Sequence, residues 1–193
     1  MTSAPPPMDP DTSEADSTQL QLARAQGDAY GRALKHMVDD VAQTGGSRTV
    51  GEYLVGYAVE DAEGMYEVRD GQLHWRNPRH GEDVHVEVAV CDAADGRFIP
   101  AVTVTVTLIS PGGQSSGPHE LPLLWHPMIY HYGKDLTLPE DGRYTLQVHV
   151  APPGFMRHDE VNGRRFRAPV DVEFTDVPIR RGAEPVDPPR HTP

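Results

Sequence analysis

The chain of 193 residues contains a single cysteine, Cys91. No disulfide can form within it, so bridges neither staple the fold nor report a redox compartment. Basic residues are scarce: 17 Lys and Arg face 29 Asp and Glu, a formal charge of -12. That balance excludes a nucleic-acid partner, which requires clustered cations against phosphate. No run of about 18 apolar residues exists, so no helix embeds the chain in a membrane. Also missing are a Gly-x-Ser-x-Gly elbow, a phosphate-cradling glycine loop and a Cys-x-x-Cys pair. A blue-copper centre needs His and Met close to its cysteine, and Cys91 is followed only by Asp92-Ala93-Ala94-Asp95-Gly96. The first residues, Met1-Thr2-Ser3-Ala4-Pro5-Pro6-Pro7, carry neither a basic region nor an apolar core of a leader.

The ends have the composition of disorder. Residues 1–16 are rich in Pro, Ser, Asp and Glu, and 177–193 in Pro and Arg, so both are expected to be solvated tails. Between them the hydrophobic period changes once. Leu20, Ala23, Tyr30, Leu34, Met37, Val38 and Val41 recur at helical steps, which predicts a helical extension over 17–46. Thr18 with Gln21 fits a capping box at its start, and Gly45-Gly46 is the expected stop. Its apolar stripe is expected to pack on the main domain.

From residue 50 the period is two. Tyr53–Val59, Met65–Val68, Asp83–Cys91, Ala101–Ile109, Arg143–Val150 and Arg167–Asp176 read as strands separated by Gly/Pro turns, with Met65–Val68 paired to the strand before it. Ser110–Pro118 reads as a loop. The pattern predicts an all-β fold over 50–176: an immunoglobulin-like antiparallel β-sandwich with an N-terminal helix.

The chemistry concentrates in the stretch from Trp125 to Gly133, which holds His126, Met128, His131 and three aromatic rings. Imidazole and thioether together suit copper better than calcium or magnesium. On the strand at 83–91, alternation puts Val84, Val86, Val88 and Val90 on one face and His85 with Glu87 on the other, roughly 7 Å apart. His158 follows in Met156-Arg157-His158-Asp159. Taken alone, each has an ordinary reading: a solvated strand face for His85 and Glu87, a buried hydrogen-bonded histidine for His131, a strand end for His126, a core filler for Met128, a surface loop for His158. The remaining histidines, at 36, 74, 80, 119, 149 and 191, have no companion spacing.

Five ordered features over about 55–176 resemble the periplasmic copper-binding Fe2+ transport proteins, accessory to bacterial high-affinity iron uptake. They are Gly56-Tyr57-Ala58-Val59-Glu60 with Gly64-Met65; His85-Val86-Glu87; Pro100-Ala101-Val102-Thr103-Val104; His131-Tyr132-Gly133; and the closing set Gly142-Arg143-Tyr144, Arg157-His158-Asp159-Glu160 and Phe166-Arg167-Ala168-Pro169. The resemblance implies a non-enzymatic metal site lined by His85, Glu87, His131 and His158. It also implies a homodimer, and delivery of iron to a membrane permease. The family methionine, seven residues before His131, is Leu124 here, leaving Met128 or Met65 as the replacement thioether. The family's Asp-Gly-Pro before His-Tyr-Gly is Met128-Ile129-Tyr130. Three imidazoles and a carboxylate favour Cu(II), or zinc, manganese or iron, over Cu(I). The resemblance implies an exported protein, whereas the N-terminus as given shows no leader, which leaves the cytoplasm as the other compartment. Two other readings are set beside this one: a two-His, one-carboxylate Fe(II) enzyme, and an interaction module without metal.

Overall fold

The structure, a computed structural model, describes residues 8, 9 and 11–182. The tails expected at 1–16 and 177–193 lie partly outside these residues. Within them, 177–179 belong to the last strand rather than to a tail.

One helix, α1 (Ser17–His36), opens the fold and continues as a π-helical turn over Met37–Val41. Its cap is Asp16, not Thr18: the Asp16 carboxylate accepts from the Gln19 N–H, and the Gln19 side chain accepts from the Asp16 N–H. A carboxylate two residues earlier is the better acceptor for the free N–H groups. The helical extension also ends sooner than Gly45-Gly46. Those glycines lie in β1 (Thr44–Val50), where a Cβ on Gly45 would stand 3.0 Å from the Tyr57 carbonyl oxygen and from Val38. They permit close packing of the helix end on the sheet; they do not stop the helix.

The strands form an antiparallel β-sandwich. The first sheet has the order β1, β2 (Tyr53–Glu60), β5 (Val84–Asp92), β9 (Tyr130–Leu136), β8 (Leu123–Trp125). The second has the order β11 (Val170–Ile179), β10 (Gly142–Val150), β6 (Val104–Ile109), β7 (Ser115–Leu121). The stretch expected to be a loop at 110–118 thus supplies most of an edge strand. Pro118 is tolerated there because an edge has one side without ladder partners. A separate hairpin pairs β3 (Met65–Arg69) with β4 (Gln72–Arg76) through Asp70-Gly71. Met65–Val68 therefore pairs forward, with the tight turn setting the register, rather than back onto β2.

The core lies between the sheets. Val84, Val86, Val88 and Val90 of β5 are fully buried and face Val104, Val106, Leu108, Leu146 and Val148. Tyr132 is anchored inside this core, its hydroxyl donating to the Ile99 carbonyl (3.0 Å). Period two then turns the other side of each strand outward: His85, Glu87, Ala89 and Cys91 on β5, and His131, Gly133 and Asp135 on β9.

This outer face is not wet. Leu34 and Met37 pack with Ala58, Ala89, Cys91 and Ile129 in a second cluster. Tyr30 stacks on Phe98 (5.4 Å) and donates its hydroxyl to the Tyr130 carbonyl (2.6 Å). The docking is tight: a Cβ on Gly27 would stand 1.6 Å from the Asp95 carbonyl oxygen. Among the described residues no helix is long and apolar enough to cross a membrane.

Candidate metal centre

Four adjacent strands, β2, β5, β9 and β8, build the site on the part of the outer face away from the α1 cluster. Cross-strand register places His85 opposite both Glu60 and Asp135, Glu87 opposite Gly133, and Leu124 opposite His131. His85, Glu87 and His131 each offer a ligand atom, all within 4.8 Å of one another, and all three residues are buried. Glu87 Oε1 lies 3.7 Å from His85 Nε2 and 3.2 Å from His131 Nε2. Two ligand atoms bonded at ~2.0–2.1 Å to one tetrahedral ion stand roughly 3.4 Å apart, so this spacing fits a shared cation.

The hydrogen-bond inventory points the same way. His85 Nε2 and both ring nitrogens of His131 are buried without a hydrogen-bond partner. The 3.2 Å approach of Glu87 to His131 is out of hydrogen-bond alignment, and the Ile129 backbone nears the His131 ring without reaching such geometry. An unpaired buried polar atom costs about 1–3 kcal/mol. Several converging on one point are what a cation would satisfy. The donor chemistry, borderline nitrogen with one hard oxygen, suits copper, zinc or a similar first-row ion.

The other nitrogen of His85 is spoken for. Nδ1 lies 2.8 Å from Asp135 Oδ1, with both side chains fully buried. Asp135 Oδ2 in turn meets Arg76 Nη2 at 3.1 Å. Gly133 is required by space: its φ is not among the positive ones, yet a Cβ there would stand 2.7 Å from His85 Nε2 and 3.1 Å from His131 Cδ2. This accounts for His131-Tyr132-Gly133 as a unit. The histidine faces the cluster, the tyrosine anchors the strand from within, and the glycine keeps the space between the two imidazoles open.

The electrostatics follow from burying three ionisable side chains together. Burial, then the neighbouring Glu60 and Glu63, outweigh His85 and push the Glu87 carboxyl up to about 8. Burial, then His85 and His126, pull His131 down to about 3. For His85, burial alone would lower the value, but the Asp135 hydrogen bond with Glu87 and Glu63 leaves it raised.

Of the five candidate ligands, the structure brings His85, Glu87 and His131 together. His158 is elsewhere. It lines a cavity of about 500 Å³ with Asp92, Arg165 and Phe166, at the far end of β5. His85 and Asp92 are seven residues apart on that strand, or roughly 23 Å. The loop is held there by the buried Arg165–Asp92 ion pair (2.5 Å). Met128 packs against the Leu34, Met37 and Cys91 cluster beneath α1, outside the donor group. Its N–H donates to His126 Nδ1 (3.2 Å), and the His126 ring lies 6.2 Å from His131. Met65 pairs with Arg76 on the hairpin. Leu124, across the ladder from His131, is a neighbour: its Cδ1 would be 3.0 Å from a Cβ on Gly133. Sequence reasoning missed Asp135, Glu63 and the role of Glu60. The signal for Asp135 was available, since counting by twos from His131 puts Gly133 and Asp135 on the ligand face.

A β-sandwich with a buried two-imidazole, one-carboxylate cluster on its outer sheet face defines a metal-binding β-domain. The chain belongs to the Fe2+ transport protein family, whose sequence model matches residues 33–178. No curated protein sequence matches it. Among solved structures, FetP of uropathogenic Escherichia coli strain F11 is 25% identical with a TM-score of 0.57, covering 70% of this chain and 95% of that one. A copper-bound variant of the same FetP is 21% identical (TM-score 0.55, 69% and 95% covered). Copper-reconstituted P19 from Campylobacter jejuni is 17% identical (TM-score 0.60, 72% and 96% covered) and shares the fold. The model's match begins inside α1, so most of that helix lies outside what the family shares.

Proposed function

We propose that His85, Glu87 and His131 hold a copper ion, or a zinc, manganese or iron ion in its place, and that the protein serves Fe2+ uptake as a non-enzymatic partner of a membrane permease. The observation that carries this reading is the convergence of buried, unpaired imidazole nitrogens on Glu87. Family membership and the copper-bound FetP variant and P19 support it. Copper bound here would supply a one-electron couple. His85 and His131 offer neutral Nε2 lone pairs, Glu87 supplies the negative charge, and the burial of all three keeps bulk water out. Action outside the cytoplasm is supported by the periplasmically expressed FetP.

A homodimer accommodates His158. Within one chain it is a strand's length from the site, so a second copy is the route by which its imidazole would join the set. Leu123, Trp125 and Tyr130, 47, 71 and 50% exposed, make an apolar patch beside the site, and Met156 beside His158 is 97% exposed. These favour burial against another chain.

Titrating Cu(II) and Zn(II) into the untagged full chain tests the site. His85→Ala and His131→Ala should each lose binding by at least about 100-fold, and wild-type affinity in both would remove it. Binding should weaken as pH falls, led by proton uptake at His85, whose value burial lowers but Asp135, Glu87 and Glu63 leave raised. Sedimentation gives the oligomeric state; a monomer with undiminished affinity in His158→Ala overturns the dimeric reading. The cluster's composition is also that of a two-His, one-carboxylate Fe(II) oxygenase. Substrate-dependent oxygen consumption by the Fe(II)-loaded protein would favour that reading instead.

A further inference from the structure

Asp135 occupies a position that the ligand set leaves unexplained. It is buried on the ligand face, directly across the ladder from His85, with its Oδ1 2.8 Å from His85 Nδ1. Its other oxygen is taken by Arg76 Nη2 at 3.1 Å, and Oδ1 also accepts the Glu63 N–H at 3.4 Å. Arg76 is itself clamped, with Nε 2.7 Å from Glu67 Oε1 and Nη1 2.7 Å from Glu82 Oε2. A carboxylate fixed at both oxygens has no second rotamer to adopt. The hairpin of β3 and β4, which stands apart from both sheets, is thereby tied to the metal site through one guanidinium.

The chemistry of the contact is one-directional. A carboxylate only accepts, so Nδ1 carries the proton and Nε2 keeps its lone pair. That lone pair is the buried, unpaired atom facing Glu87 at 3.7 Å and Glu63 at 3.9 Å. A carboxylate behind a ligating imidazole also makes it a stronger donor, and more so toward a dication than toward a monocation.

We infer that Asp135, held by Arg76, is a positioning residue that orients His85 and biases the site toward divalent ions over Cu(I). This rests on the metal-site reading above. In the same direction, the residue across the ladder from His131 is the hydrocarbon Leu124, so the site is poor in groups that would favour Cu(I).

The test uses the untagged full chain loaded with copper. Asp135→Asn preserves shape and an acceptor oxygen while removing the charge. Cu(II) affinity should fall by about 10–100-fold, with Cu(I) affinity changed less. A tenfold loss confined to Cu(II) raises the copper potential by about 59 mV. The Cu(II) electron paramagnetic resonance spectrum should shift in parallel. Arg76→Gln, which leaves Asp135 in place but unclamped, should move the potential in the same direction by a smaller amount. It supplies the readout should Asp135→Asn fail to fold. Wild-type binding of copper with unchanged spectrum and potential in the folded variants overturns the inference and leaves the site intact. Absence of copper binding by the wild-type chain overturns the metal-site reading itself, and this inference with it.

Discussion

Gly133→Ala sets the site's requirement against the sheet's own preference. Glycine inside a strand costs stability, and alanine normally recovers about 0.5–1 kcal/mol. The backbone at 133 raises no objection, since its φ is not in the left-handed region. The added methyl does object: it would lie 2.7 Å from His85 Nε2, 3.0 Å from Leu124 Cδ1 and 3.1 Å from His131 Cδ2. The nitrogen contact is shorter than an ordinary heavy-atom contact of ~3.5 Å by roughly 0.8 Å. It is also close to the ~2.0–2.1 Å bond an ion would make to that nitrogen, so methyl and ion compete for one space. The expected outcome is a metal-free protein destabilised by about 1–3 kcal/mol, the cost of overpacking. Copper affinity should fall by at least about 100-fold, or ~2.7 kcal/mol. Thermal unfolding of the apoprotein and competition titration against a chromophoric chelator read the two numbers separately. A variant that is more stable than wild type and binds copper equally would refute the assignment of this space to an ion.

Two further outcomes follow from the same geometry. Leu124→Met places a thioether across the ladder from His131 and should raise Cu(I) affinity by about tenfold or more while leaving Zn(II) affinity nearly unchanged, as measured by competition with selective chelators. Burial raises the Glu87 carboxyl from 4.5 to about 8, so the folded apoprotein holds this proton where the unfolded chain has lost it. That contribution is fully present below pH 4.5 and disappears as pH climbs through about 8. Apoprotein stability should fall over that window by up to about 1.4 kcal/mol per pH unit, and chemical denaturation of Glu87→Gln should show the slope removed.

Much of this architecture was legible because period two is a strong signal where one sheet face is fully buried. The four valines of β5 and the Val104, Val106 and Leu108 series announced their strands, and the same count put His85 beside Glu87. His131 stood out through the ligand-rich stretch that holds it, but its place beside His85 could not be derived, since nothing local says which strand β9 pairs with. Register is a long-range property, and the pairing of His85 with Asp135 is set by the packing of two strands 50 residues apart in sequence. Gly45-Gly46 misled because glycine serves helix stops and close packing alike. Pro118 misled because an edge strand tolerates what an inner strand does not. His158 matched the family's local motif, but the loop that carries it is fastened by Arg165 to the opposite end of β5, a tie invisible in spacing.

The position of α1 bears on the one thiol of the chain. Cys91 lies on the ligand face four residues beyond Glu87, about 13 Å along the strand. It is fully buried, and burial with Asp92 and Asp95 pushes it up to about 12. Cupric ions oxidise accessible thiolates and would couple two chains through such a sulfur. Beneath Leu34 and Met37 the sulfur stays protonated and out of contact, so a reducing group and the proposed cupric ion can share one sheet without consuming each other.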